Sequence, residues 1–330
     1  MIHLGIDISK ADFHVYGQSK ERCFKQTARG FSSLITWAKK MGPASELVFV
    51  MEATGSYHLK LATALYSKGY GVAVINPQRI HHHAKSMGSR VKSDKVDARI
   101  ICEFGRLHNI EGTWKPLAEV IVQLRFWIKD QDHLHRHITS LTNRIKSLEL
   151  QTADLSYELK ELRSRREELR KRLEHSRKQA EKLSKVHRKT RELLLSIPGV
   201  GAVTASCLIT LFHSNYQIDT ARQAESLAGL SLRRFDSGKS VHKRPYISRM
   251  GPPSLRKALY MAALSAKKHN PACKAMYERI LEKGRPKKVA LIAVACKLLR
   301  QAFGVLKSNI PFDPELSVKN LAQKRPILDF

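Results

Sequence analysis

Four carboxylates stand where a folded chain can bring them together. Asp7 lies in the frame Leu4-Gly5-Ile6-Asp7-Ile8, so on a strand it faces one side of a sheet while Ile6 and Ile8 face the other. Glu52 follows the apolar run Glu46-Leu47-Val48-Phe49-Val50-Met51, and Gly55 begins the turn after it. If the first and fourth strands are neighbours, Asp7 and Glu52 converge at one sheet edge. Asp94 and Asp97 are three residues apart at the start of an expected helix reaching about Leu107, hence on one face. Hard divalent cations such as Mg2+ take carboxylate oxygens and keep water and phosphate ligands. Two of them can hold the attacking and leaving oxygens of an in-line phosphoryl transfer. Singly, Asp94 reads as a helix N-cap and Asp7 as a turn residue. Together, in this order, the four favour metal-assisted phosphate chemistry.

A nucleophile for such chemistry is offered by Arg244-Pro245-Tyr246-Ile247-Ser248-Arg249-Met250-Gly251, followed by Ser254-Leu255-Arg256-Lys257. Ser248 sits in a loop-like stretch before a helix, and Arg244, Arg249, Arg256 and Lys257 are basic neighbours suited to nucleic-acid phosphates. A serine there can attack phosphorus while guanidinium groups stabilise the developing charge. Ser237, Ser240 and Ser254 compete on sequence grounds. Ile197-Pro198-Gly199-Val200-Gly201 resembles the hairpin of a helix-hairpin-helix, whose backbone amides can bind phosphate; an ordinary helix-to-helix turn is the alternative. His81 to His83 and the alternating His133, His135 and His137 read as surface histidines available to phosphate, because neighbours fall on different helical faces. No G-x-x-x-x-G-K-[ST] occurs, which argues against nucleotide-fuelled work.

The composition points to the same class of partner. Fifty-nine Lys plus Arg against 29 Asp plus Glu give 330 residues a formal charge of +30, far more than solubility requires. Neutralising phosphates releases counterions, so nucleic acid is the expected partner. An apolar content of 42% excludes a wholly disordered basic tail. No uninterrupted apolar run approaches the roughly 18 residues of a membrane span. The first residues read as a strand rather than a signal peptide. Five scattered cysteines with no C-x-x-C fit neither a disulfide framework nor a zinc ribbon, and suit the cytoplasm.

Residues 1–115 alternate strand and helix signals: three short strands, then helix, strand, helix, strand, helix. That is the order of a ribonuclease-H-like α/β domain. Over 116–190 the period changes. Leu134, Leu141, Leu148, Leu155, Leu162, Leu169 and Leu183 recur in a heptad frame broken by Ser176, with Ile138, Ile145, Leu159 and Leu173 among the partner positions. A long coiled coil is expected, as one helix or with a hairpin turn at the polar Gln151 to Asp154. Trp127 and Leu124 continue its apolar face. The Lys- and Arg-rich surface of 160–192 suits either a polyanion or solvent. Residues 191–315 read as mostly helical with basic loops, carrying 16 Lys plus Arg against three acids between Ser231 and Lys288, and 316–330 as a tail.

Gly5-Ile6-Asp7, Met51-Glu52-Ala53-Thr54-Gly55, Val74-Ile75-Asn76-Pro77 and Lys92-Ser93-Asp94-Lys95-Val96-Asp97-Ala98-Arg99 resemble the N-terminal half of the insertion-sequence-110 transposases, a family that includes Piv-type DNA invertases. Ser196-Ile197-Pro198-Gly199-Val200-Gly201, Leu227-Ala228-Gly229-Leu230, Ile247-Ser248-Arg249-Met250-Gly251 and Gly304-Val305-Leu306-Lys307-Ser308 resemble its C-terminal half, so the match spans residues 3 to 313. The resemblance implies a RuvC-like domain with a magnesium site at Asp7, Glu52, Asp94 and Asp97, and a C-terminal transposase domain with a nucleophilic serine at Ser248. It further implies a dimer of dimers in which one subunit's acids meet another's serine, and a structured guide (bridge) RNA pairing with donor and target DNA. Pro252-Pro253, after Gly251, departs from the commoner family pattern. An RNA-guided, nucleoid-associated recombinase is the expected function. The alternatives are a Piv-type invertase, a hydrolytic junction nuclease and a non-catalytic nucleic-acid-binding protein; the last has no use for carboxylates facing phosphate.

Overall fold

The structure is a computed structural model that describes residues 1–53, 55–88, 93–237 and 241–315, with backbone only for 234–237 and 241–244. Thr54, Lys92, Ser240 and the tail 316–330 lie outside the described residues, as do the side chains of Ser237 and Arg244. The chain divides into two compact units, Met1–Leu117 and a second beginning at Ala118.

The first unit is a mixed five-stranded sheet between two helical layers. Its elements are β1 (Ile2–Ile8), β2 (Asp12–Gly17), β3 (Lys20–Lys25), α1 (Ala28–Ala38), β4 (Leu47–Glu52), α2 (His58–Tyr66), β5 (Gly71–Ile75), α3 (Pro77–Ser86) and α4 (Asp94–Leu107). This is the element order expected from the sequence through β5; after it α3, an element not expected from the sequence, precedes the expected helix α4. The strands lie in the order β3-β2-β1-β4-β5, antiparallel from β3 to β1 and parallel from β1 to β5. Leu4, Ile6, Phe13, Val15, Phe49 and Met51 form one buried face with Leu34, Leu61 and Leu65 of α1 and α2. Val48, Val50, Ala73 and Ile75 form the other with Ile80 of α3 and Ile100, Ile101 and Phe104 of α4.

Gly5 sets how closely α4 lies on β1. A Cβ there would stand 2.2 Å from the Ala98 carbonyl oxygen and 2.2 Å from the Cys102 amide nitrogen. Only a residue without a side chain permits that approach. The Cys102 thiol donates to the His3 carbonyl at 3.1 Å across the same seam.

The second unit opens with α5 (Glu119–Leu148) and α6 (Ser156–Ser184), which pack on each other as an antiparallel hairpin. Of the two readings of this segment, the hairpin is the one found. Asp154 sits in the turn, its carboxylate accepting from the Ser156 amide at 3.1 Å and hydroxyl at 2.6 Å, bonds that hold its pKa below the usual carboxylate range. The apolar positions Ile121, Leu124, Ile128, Leu134, Ile145, Leu162 and Leu173 are buried. Ser176, the break in the heptad, is wholly buried and donates to the Trp127 carbonyl at 3.2 Å, so the interruption marks a polar tie between the helices. On α6, Arg165, Arg172 and Arg170 pair with Glu161, Glu168 and Glu167 one turn away, as on a solvated helix.

The rest comprises α7 (Arg188–Leu195), α8 (Ala202–Phe212), α9 (Ala221–Ala228), β6 (Leu232–Ser237), β7 (Val241–Ile247), α10 (Pro253–His269), α11 (Pro271–Glu282) and α12 (Lys287–Ser308). The mostly helical character expected of this segment is found, and the β6–β7 hairpin stands where a basic loop was expected. Its strands are rich in Arg and Lys and hold a proline, so no apolar alternation announces them. Among the described residues α12 has the length and hydropathy of a membrane span, yet Lys297 and Arg300 interrupt it and it packs against α7, α9, α10 and α11 as a core helix.

Candidate active site

In the first unit, Ile6 of β1 lies opposite Met51 of β4, which sets the next residues, Asp7 and Glu52, side by side at one end of the sheet. The α4 helix brings its first turn to the same end. Ser93 caps that helix, its hydroxyl accepting from the Val96 amide at 3.4 Å, so Asp94 and Asp97 occupy the first turn rather than the cap. The positive end of the helix dipole favours both carboxylates there.

The acids sense one another. Burial pushes the Asp7 carboxyl up to about 6, and the charges of Asp97, Asp94 and Glu52, in that order, add to the rise. Asp7 is half-buried, whereas the Asp94 side chain is 64% exposed. Among the described residues no three His, Cys, Asp or Glu side chains stand close enough together to hold a metal ion. The carboxylates therefore share a field without forming a closed cage.

Two contacts brace the first turn of α4 against the antiparallel strands. The His14 Nε2 lies 3.8 Å from an Asp94 carboxylate oxygen, and Lys95 donates to Glu21 of β3 at 2.6 Å. His14 is the direct cross-strand partner of Asp7. Sequence reasoning missed it. The available signal was its place on the polar face of β2, in step with Asp12 and Tyr16.

In the second unit, Ser248 follows β7 and is half-buried. Its amide donates to the Ser231 carbonyl at 2.8 Å, and the Arg249 amide to the Gly229 carbonyl at 3.0 Å. Arg249 has a left-handed backbone, φ 57°, and an exposed side chain. Gly251 packs against the end of α9, where a Cβ would meet the Leu227 carbonyl oxygen at 2.1 Å. The Arg256 Nη1 donates to the carbonyls of Gly251 and Ala228, tying the serine loop to the C-terminal end of α9. Burial, and then the neighbouring charge of Arg249, hold the Arg256 guanidinium below its usual pKa. Lys257 faces Asp132 of α5 at 3.4 Å. Of the four basic residues expected on nucleic acid, Arg249 is thus an exposed cation beside Ser248, Arg256 has a structural bond to make and Lys257 an acidic neighbour. Pro253 stands at the first position of α10, where its missing N–H costs nothing, so Pro252-Pro253 is compatible with the loop.

Other sequence candidates fall differently. The turn at Ile197–Gly201 joins α7 to α8, with Gly199 at φ 101° against Ala266, and no side chain caps α8. His133 and His137 share a helical face, their rings 4.2 Å apart, because four residues make about one turn. His135, between them in the run, falls on a different face, as expected for neighbours two residues apart. His83 is packed between Phe104, at 5.4 Å, and His108, at 6.0 Å, rather than free for phosphate.

Comparison with known proteins places both halves. Residues 4–153 match the transposase family DEDD_Tnp_IS110, and residues 191–278 match the "Transposase IS116/IS110/IS902 family". The chain is 31% identical over 320 residues to the pilin gene-inverting protein of Moraxella bovis, covering 95% of this chain and 98% of that relative. It is 25% identical over 284 residues to the transposase for insertion sequence element IS1328 of Yersinia enterocolitica, covering 79% of this chain and 82% of that one. With both halves matched in order and a relative aligned from end to end, the chain belongs to the IS110 family of transposases and is a DNA transposase/recombinase.

Proposed function

We propose that the chain is an RNA-guided recombinase of an insertion sequence, cutting and rejoining donor and target DNA through the four acids and Ser248. The observation that carries this reading is the gathering of Asp7, Glu52, Asp94 and Asp97 at one end of the sheet, where burial, and then the charges of the other three acids, push the Asp7 carboxyl up to about 6. The strand order supports a ribonuclease-H-like, RuvC-like domain. In type the donors suit Mg2+, four carboxylates with no thiolate among them whose mutual repulsion a divalent charge would relieve, although as they stand no three of them are placed to hold one ion. Held by these acids, Mg2+ would offset the charge that builds on a phosphodiester during transfer.

Ser248 acts as the nucleophile. Its Oγ bonds to phosphorus, the bond from phosphorus to one deoxyribose oxygen breaks, and that oxygen leaves as a hydroxyl carrying the serine's proton. A hydroxyl of the new partner strand reverses the exchange and frees Ser248. The phosphoester count is unchanged, so no nucleotide hydrolysis is needed. Arg249, exposed beside the serine, steadies the phosphate. By the family resemblance the assembly is a dimer of dimers, with one subunit's acids meeting another's serine and a bridge RNA choosing both DNA partners. It works in the cytoplasm, on the nucleoid, with no membrane partner. The division into 1–115, a coiled-coil segment 116–190 for oligomerisation, a serine-bearing 191–315 and a tail belongs to the same proposal.

Inversion is the second reading, because relatives at 31% identity over nearly the whole chain are pilin gene-inverting proteins. Sequencing the RNA that copurifies with the chain separates the two. One structured RNA from beside the gene, with segments matching donor and target, supports guided transposition; random RNA supports inversion.

A further inference from the structure

Beside Ser248 the fold sets a second hydroxyl. Gly229, at φ 71°, ends α9, Leu230 is buried, and Ser231 leads into β6. The bond from the Ser248 amide to the Ser231 carbonyl, 2.8 Å, continues the β6–β7 register past Leu232 and Ile247, and the bond from the Arg249 amide to the Gly229 carbonyl, 3.0 Å, one residue out of that register, ties down the loop beyond it. Residues 231 and 248 are thereby cross-strand partners with side chains on one face. Their hydroxyls meet: Ser231 Oγ donates to Ser248 Oγ at 3.2 Å, and both residues are half-buried.

We propose that Ser231 is a positioning residue for Ser248, holding its Oγ in the rotamer from which it attacks phosphorus. This rests on the reading of Ser248 as the nucleophile. A serine side chain has three staggered wells and, unaided, spreads over them. The loop backbone is already fixed, by Gly251 packed on Leu227 and by the Arg256 bonds, so the χ1 torsion of Ser248 is the freedom left to settle. A donor at 3.2 Å settles it and leaves a second lone pair of the Oγ for phosphorus. When the Oγ becomes an ester oxygen, Ser231 can still donate to it, so the bond serves attack and religation alike.

The test is single-turnover formation of the covalent adduct on a nicked suicide duplex taken from the DNA flanking the gene, with the copurifying RNA and Mg2+ present. Ser231→Ala is expected to slow adduct formation about tenfold at saturating DNA, the loss of one hydrogen bond at a reacting oxygen, with DNA affinity and melting temperature unchanged. Ser231→Thr, which keeps the hydroxyl, restores the rate; a merely structural role would move affinity or melting instead. An unchanged rate in Ser231→Ala, or an adduct mapped to Ser231 itself, overturns the proposal. Ser248→Ala runs in parallel. If it still forms the adduct, the nucleophile reading falls; if it forms none while Ser231→Ala keeps the wild-type rate, only the role of Ser231 falls.

Discussion

Asp7 carries a cost in stability. Its folded pKa of about 6 lies above the unfolded value of 3.8, so ionisation opposes folding. The penalty is absent below about pH 4, grows as pH rises, and is complete above about pH 6. Asp7→Asn should therefore stabilise the chain without divalent ions by about 2 kcal/mol near pH 7.5, the full conversion of the shift being reduced by partial exposure. The gain should vanish near about pH 4 in thermal melts, and the variant should lose strand transfer. A destabilised Asp7→Asn at neutral pH would mean that the carboxylate is held by partners rather than strained by its neighbours. At this scale the acids were legible in the sequence, because each stood at the end of an apolar frame or in a helix's first turn. His14 and Ser231 were not. Each earns its place only through the residue across the strand pair, and the polar β6–β7 hairpin left no pattern from which that pairing could be read.

At the scale of elements, the acid cluster depends on how close α4 comes to β1. Strand alternation and the helix start at Ser93 could be read directly, but the approach distance could not, since Gly5 looks like any glycine before an acid. Gly5→Ala should push α4 outward, costing about 3 kcal/mol, with a lower denaturant midpoint and loss of strand transfer. Wild-type stability in that variant would show that α4 does not rest on Gly5. The α5–α6 hairpin gives the complementary lesson. Its heptad fixed which faces are apolar, whereas the turn at Gln151 to Asp154 was one of two readings, because polar residues also suit an exposed helix face. The turn bonds that Asp154 accepts from Ser156 supply the local reason for the hairpin.

Across the whole molecule, the +30 charge and the four acids are a contrast that matches a DNA transposase/recombinase. The family was legible because its motifs recur in order along nearly the entire chain. The basic surface was legible only as a sum: α6 arginines pair with glutamates, Arg256 ties a loop, and Arg249 stands exposed beside Ser248. The central claim is that Ser248 joins to DNA under the control of the acids. Mass spectrometry of the adduct trapped on the nicked duplex tests it most directly. A DNA-linked peptide carrying phosphate on Ser248 is expected, requiring Mg2+ and absent from Ser248→Ala and Asp7→Asn. A linkage to any other residue, or an undiminished adduct in Ser248→Ala, would contradict it.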